Sequence, residues 1–345
     1  FRHPLEVQQF GADDDFAAPL LPGNSLSAAG DLDINITSGP NGLNLTNAVL
    51  NADQNLSITG AGLSLAGTRL NGEQVLINAQ AGTLSLTAAT ITATQLSLNS
   101  SNALIANTLL INDAGANEPT GTVTISAPDI QIGSGSLIGA NNLSVSAADQ
   151  LVINGSSLLN ATSSRYSAGS SLVLDEALMA SQSFSLSSTG SVVIQNTRLG
   201  RGGGSSAQQL DIAAGSVKIN GSELLADSAE IQSSGASTST DDVIQFGTAD
   251  WSAGSLNLAS SNVEIGTLTT AISGALTLDG STLSGNGLSL NAANLVIQAS
   301  SQLQATGALN LGGQSLLIAN SVVEGGTSQI STTVNANASN STLRL

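Results

Sequence analysis

Along most of this chain, short runs alternate apolar and polar residues, and the runs return at a regular interval. Residues 287–319 read GLSLNAANLVIQASSQLQATGALNLGGQSLLIA, where Leu288 and Leu290 return as Leu309 and Leu311, and Leu295 with Ile297 returns as Leu316 with Ile318. An internal repeat of about twenty residues, made of short strands with one apolar face, bounds the architecture before any other reading. One class of strand runs through Leu43, Leu63, Leu84, Leu104, Ile130, Leu151, Leu172, Val192, Val217, Leu256, Leu276, Leu295 and Leu316. A second class precedes it at Leu56, Val75, Leu96, Val123, Leu143, Phe184, Leu210, Leu288 and Leu309. A third follows at Leu70, Ile91, Leu110, Leu137, Leu158, Leu178, Leu224, Val263, Leu283 and Leu303.

Three strands per unit predict a coil of triangular section, and the Asn, Gly and Ser between them tolerate the left-handed backbone of tight corners. Systematic two-residue hairpin signals are missing, as is the L-x-x-L-x-L-x-x-N spacing of leucine-rich repeats. The expected fold is all-β, a right-handed parallel β-helix (β-solenoid) with about twenty residues and three short strands per coil and about fifteen coils. One unit buries about six apolar side chains worth roughly 1.5–3 kcal/mol each. Ordering its backbone costs about 1–2 kcal/mol for each of some twenty residues. A lone unit therefore does not fold, and stability comes from stacking. Residues 1–24 lie outside the period and read as an arm or cap, while 25–345 read as a single solenoid domain. Longer intervals place insertions near 112–121, 200–207 and 233–251, the last with the sole Trp, Trp251.

Composition narrows the function. Seven Lys and Arg against 24 Asp and Glu leave a net charge of −17, so the basic footprint that nucleic acid requires is missing. There is no Cys, hence no disulfide framework, thiolate metal site or Cys nucleophile. No apolar run is long enough for a transmembrane segment, no Lys- or Arg-led signal peptide opens the chain, and the first residue is Phe1, which leads us to expect a processed chain or a fragment. Together these features suit a secreted bacterial surface protein.

Units such as GLSLNAANLVIQASSQLQATG and GTLSLTAATITATQLSLNSS resemble the repeats of filamentous-haemagglutinin-like exoproteins of the two-partner secretion type, over about residues 31–345. The resemblance implies an extracellular, adhesive or structural protein without catalysis. That family's secretion domain carries N-P-N-G-[IL] and N-P-N-L motifs; this chain has Gly39-Pro40-Asn41-Gly42-Leu43 and no N-P-N-L.

Candidate chemistry is sparse. A serine triad needs a His beside its nucleophile and an acid behind the His, but the one His, His3, lies in the leader. Carboxylates gather at Asp175 with Glu176, at Asp241, Asp242 and Asp250, and at Glu223, Asp227 and Glu230, with Asp211 one coil from Glu230. Without clustered bases or aromatic sugar platforms they read as a solvated face rather than a polysaccharide-cleaving centre. The GRGGG stretch at 200–204 lacks the Lys and Ser/Thr of a phosphate-binding loop. Asp13, Asp14 and Asp15 are where Ca²⁺ would find oxygen ligands; no metal site or cofactor is expected.

Outward positions carry the candidate contacts. Val152, Val173 and Val193 follow one another in the first class, and Val296 with Leu317 repeats the situation. Such a stripe predicts contact with another copy, or cover by an insertion such as 200–207. At the far end the pattern runs through Leu343 and Leu345 without a polar cap, and Phe1, Phe10 and Phe16 in the leader offer a plug for another copy. The leading expectation is a non-catalytic extracellular β-solenoid, a homo-oligomeric or polymeric subunit or segment of a fibre or matrix. Alternatives are a stalk or glycan-binding segment of a large adhesin, and a polysaccharide-active enzyme.

Overall fold

The computed structural model describes residues 5–7, 25–36, 42–111, 121–133, 135–155, 158–201 and 206–345. Among these are 31 strands and no helix. Where the sequence reads as one domain from 25 onward, the chain divides into two compact units: Phe1–Gly169 with Asp175–Ala180 (unit 1), and Ser170–Leu174 with Ser181–Leu345 (unit 2). Each is a solenoid of stacked parallel strands, and together they contain about fifteen turns.

One corner punctuates every turn. In unit 1, Asn47, Gly67, Ala88, Thr108, Gly135, Gly155 and Glu176 have positive φ, and in unit 2 so do Asn196, Gly221, Asp241, Ser260, Gly280, Ser300, Asn320 and Asn340. The left-handed conformation strains most side chains; repeating it at one place per turn reverses the chain into its next strand. The interval is wide between Thr108 and Gly135 and between Asn196 and Gly221; of the first two expected insertions, 112–120 and 202–205 lie outside the described residues.

The third insertion is corrected. Asp241 and Ser260 follow Gly221 at the ordinary interval, and residues 233–251 belong to regular turns. Ala236–Thr240 stacks on Val217–Asn220 and beneath Ser255–Ala259. Val243–Ala253 lies in register with Glu223–Ser233 and Asn262–Asp279. Two inward serines, Ser237 and Ser239, both fully buried, occupy places that are Val217 and Ile219 one coil earlier, so the aliphatic signal vanishes for one turn while the geometry continues. Trp251 points inward, 2% exposed, between Ile231 and Thr270.

Like side chains pile into columns. On the first face of unit 1, Leu43, Leu63, Leu84, Leu104, Ile130 and Leu151 are consecutive partners. On the second face the column is Leu32, Leu56, Val75, Leu96, Val123 and Leu143. The third face needs a one-residue correction. Ile91 stacks on Ile111, then Ile138 and Leu159; Leu110 and Leu137 belong to the neighbouring, outward column, and the side chain of Leu158 lies outside the described residues. Leu110 is 36% exposed and Leu178 45% exposed, while Met179 takes the buried place. In runs such as Thr108-Leu109-Leu110-Ile111 three adjacent apolar residues hide which are inward; the left-handed corner at Thr108 sets the phase.

A buried column of small residues follows the corner. In unit 2 it is Thr197, Ser222, Asp242, Ser261, Ser281, Ser301 and Ser321, none more than 4% exposed. A typical rung hydrogen-bonds twice: the Ser261 N–H donates to Ser281 Oγ at 3.1 Å, and the Ser281 hydroxyl donates to the Asp279 carbonyl at 3.3 Å. Thr197 N–H to Ser222, Ser281 N–H to Ser301 and Ser321 N–H to Ser341, each at 3.2 Å, repeat the link. These bonds satisfy backbone donors that the turn buries away from strand partners. In unit 1 the column is Ala48, Thr68, Ala89, Leu109, Ser136 and Ala177, and Ser136 repeats the rung, accepting from Leu109 N–H at 3.2 Å and donating to Gly133 O at 2.8 Å.

A second corner of unit 2 stacks glycines. Gly190, Gly215, Gly235, Gly254 and Gly274 sit coil upon coil, and a Cβ at Gly215 would lie 2.5 Å from the Gly190 carbonyl oxygen and 2.7 Å from that of Thr189. Lack of space, not positive φ, is what requires glycine there. Near the amino terminus, Leu5–Val7 pairs in parallel with Leu32–Ile34, the first strand of the second face; the rest of residues 1–24, read as an arm or cap, lies outside the described residues.

Candidate functional site

In a stacked coil the inward residues are committed to the core, so recognition falls to the outward columns. The four aromatic residues among those described are all inside: Tyr166, Phe184, Phe246 and Trp251. Small neighbours make room for two of them, Ser164 beside Tyr166 and Ala249 beside Trp251. Burial pushes the Tyr166 phenol far above its usual range, the nearby Ser164 hydroxyl offsetting only part of that. It is no acid or base for surface chemistry.

The acidic clusters resolve differently. Asp211, Glu230 and Asp250 form an outward column in register on the second face of unit 2. Gln209 donates to Asp211 at 2.9 Å, and Gln232 donates to Glu230. Among the described residues no group of three or more His, Asp or Glu is arranged to hold a metal ion. Asp242 is different: it is 2% exposed and replaces Ser in the buried corner column. Its Oδ1 accepts from Ser222 N–H at 2.8 Å; its Oδ2 accepts from the Ser239 hydroxyl at 2.7 Å and from Thr240 N–H at 2.8 Å. Burial raises its pKa above the ordinary 3.8, the three hydrogen bonds oppose that rise, and the neighbouring Asp241 charge adds to it. Sequence reading places Asp242 among surface carboxylates; the missed signal is its position one residue after the left-handed Asp241.

The expected contact residues divide. Phe1, Phe10 and Phe16, like Asp13, Asp14, Asp15 and His3, lie outside the described residues. Val152, Val173, Val193 and Val296 are outward but half-buried, and Leu317 is 37% exposed. Val296 and Leu317 are adjacent in their column, whereas Lys218 is the next outward partner of Val193 and interrupts the stripe there. In the last turn, positions that are inward elsewhere are open: Ile330 is 36%, Leu343 38% and Leu345 54% exposed, whereas Leu311, stacked on Ile330, is 2% exposed.

A groove crosses the second face of unit 1, with a volume of about 580 Å³. Its rim is the column Asn55, Gln74, Gln95 and Thr122, and beside it run Ser57, Leu76, Ser97 and Thr124. Leu76 is 39% exposed in an otherwise polar row. A smaller groove in unit 2, about 420 Å³, is lined by Ala271, Ile272, Ser273, Asn291, Ala292, Gly312 and Gly313.

The fold and its surfaces define a parallel β-solenoid. No protein-family model matches the chain, and neither a curated protein nor a solved structure is significantly similar to it.

Proposed function

We propose that the chain is a non-catalytic structural segment of an extracellular fibre or matrix, lengthened by stacking a further coil on its last turn. The observation that carries this reading is the register of parallel strands in which like side chains cover one another coil upon coil, in columns to which Ile330 and Leu343 belong. The strand Val322–Ser339 pairs along one edge with Gln302–Ala319; Thr342–Arg344 covers Val322–Glu324 on the other edge, and a parallel strand added to the rest of that edge would continue the same ladders. The absence of catalysis in this reading is supported by the outward acids Asp211 and Glu230, which meet glutamine amides, and by Glu223, whose carboxylate is held in an ion pair with Arg198 at 3.0 Å. The resemblance of the repeats to filamentous-haemagglutinin-like exoproteins supports a place outside the cell.

Negative-stain microscopy and sedimentation of the purified chain test it. Filaments or concentration-dependent oligomers are expected, and Ile330→Asp with Leu343→Asp should abolish them. Monodisperse monomers at micromolar concentration with no filaments would refute the reading.

A further inference from the structure

The groove on the second face of unit 1 has a chemistry its surroundings lack. In a chain of net charge −17, no Asp, Glu, Lys or Arg lines it. Gln74 and Gln95 are exposed, directly in register one coil apart, and among the described residues neither side chain is hydrogen-bonded within the protein. Thr122 and Thr124 continue the two rows with side chains equally unengaged among the described residues. Asn55 is already occupied, its amide donating to Asp31 Oδ1 at 2.7 Å. Leu76 stands between Ser57 and Ser97 as an apolar step.

An amide both donates and accepts, as a hydroxyl does, so this lining suits a partner whose groups do the same. The lack of charge disfavours nucleic acid, sulfated or uronic polymers and metal ions, each of which needs opposite charge around it. A second copy is a poor occupant, because the same concave face opposed to itself leaves a void where contact is needed. We propose that the groove binds an uncharged linear polysaccharide running along the stacking direction. Coils repeat every 4.7–4.9 Å or so, so a repeating hydroxylated chain meets an equivalent amide or hydroxyl at each coil. Leu76 covers a C–H face of one ring. Single contacts are weak, and repetition along the polymer adds them. The proposal goes beyond the structural role and does not rest on it.

Affinity electrophoresis in native gels containing dextran, laminarin, galactomannan or xylan tests it, with alginate as the anionic comparison. Wild type should be retarded by at least one of the four neutral polymers. Gln74→Ala with Gln95→Ala, and separately Leu76→Asp, should weaken the retardation about tenfold or more, as expected from losing two hydrogen bonds or placing a charge against a C–H face. Gln302→Ala, an exposed amide of unit 2, should leave it unchanged, and circular dichroism confirms that each variant folds. Retardation by none of the four, retardation by alginate alone, or unchanged binding in the glutamine variant overturns the proposal. Filament formation by the same variants, followed separately, keeps this result distinct from the fate of the fibre reading.

Discussion

The two units use the same left-handed corner but line its inner side differently. Unit 1 mixes the aliphatic Ala48, Ala89, Leu109 and Ala177 with the hydroxyls of Thr68 and Ser136, whereas unit 2 places only polar residues there, Thr197, five serines and Asp242. Aliphatic residues add apolar burial and nothing directional. Hydroxyls add a hydrogen-bonded spine that fixes turns relative to their neighbours, because rungs such as Ser261 on Ser281 and Ser281 on Ser301 tie an N–H of one coil to a side chain of the following coil. The difference teaches that a buried polar residue suits a solenoid interior when its partners recur once per turn.

The largest expected effect comes from Asp242→Ala, which leaves Ser222 N–H, Thr240 N–H and the Ser239 hydroxyl without their acceptor. Unit 2 should lose about 3 kcal/mol or more, read as a lower urea midpoint and faster hydrogen exchange at the Ser222 and Thr240 amides. A change below about 1 kcal/mol would mean that the spine does not hold the turns. Gly215→Ala strikes another corner and sets the scale: with backbone oxygens 2.5 and 2.7 Å from the added carbon, the expected loss is about 2–3 kcal/mol by the same measurement. The comparison is sharpest in a reciprocal exchange. Ser281→Ala should cost about 1–2 kcal/mol by orphaning the Ser261 N–H, whereas Ala89→Ser should change unit 1 by less than about 1 kcal/mol. Equal effects would make the two linings interchangeable.

The smallest effect is a pH dependence. Because burial raises the Asp242 pKa, the folded chain keeps this proton at pH values where the unfolded chain has lost it. The group's contribution is therefore complete below its ordinary value of 3.8 and is lost as pH rises through the raised value. Subtracting the urea-midpoint profile of Asp242→Asn from that of wild type should show this decline with rising pH; a flat difference would place the carboxyl in water.

Most of the fold was legible because aliphatic columns need matching residues at matching intervals, as Leu63, Leu84 and Leu104 do. Two kinds of residue hid. Ser237 and Ser239 are inward but polar, so a pattern read from hydrophobicity alone takes their turn for an insertion. Leu110 and Leu178 are outward but apolar, so the same pattern takes them for core. The amide groove was not legible, since Gln74 and Gln95 look like ordinary surface residues until the register sets them side by side around Leu76.

Because a left-handed corner recurs once in each circuit, the gene behind such a chain has a natural unit of change. Gain or loss of one whole circuit, about twenty codons from corner to corner, brings every column back into phase. A slip of one codon turns each inward residue of a strand outward. Evolution can thus lengthen or trim this molecule in whole turns far more freely than it can edit within one.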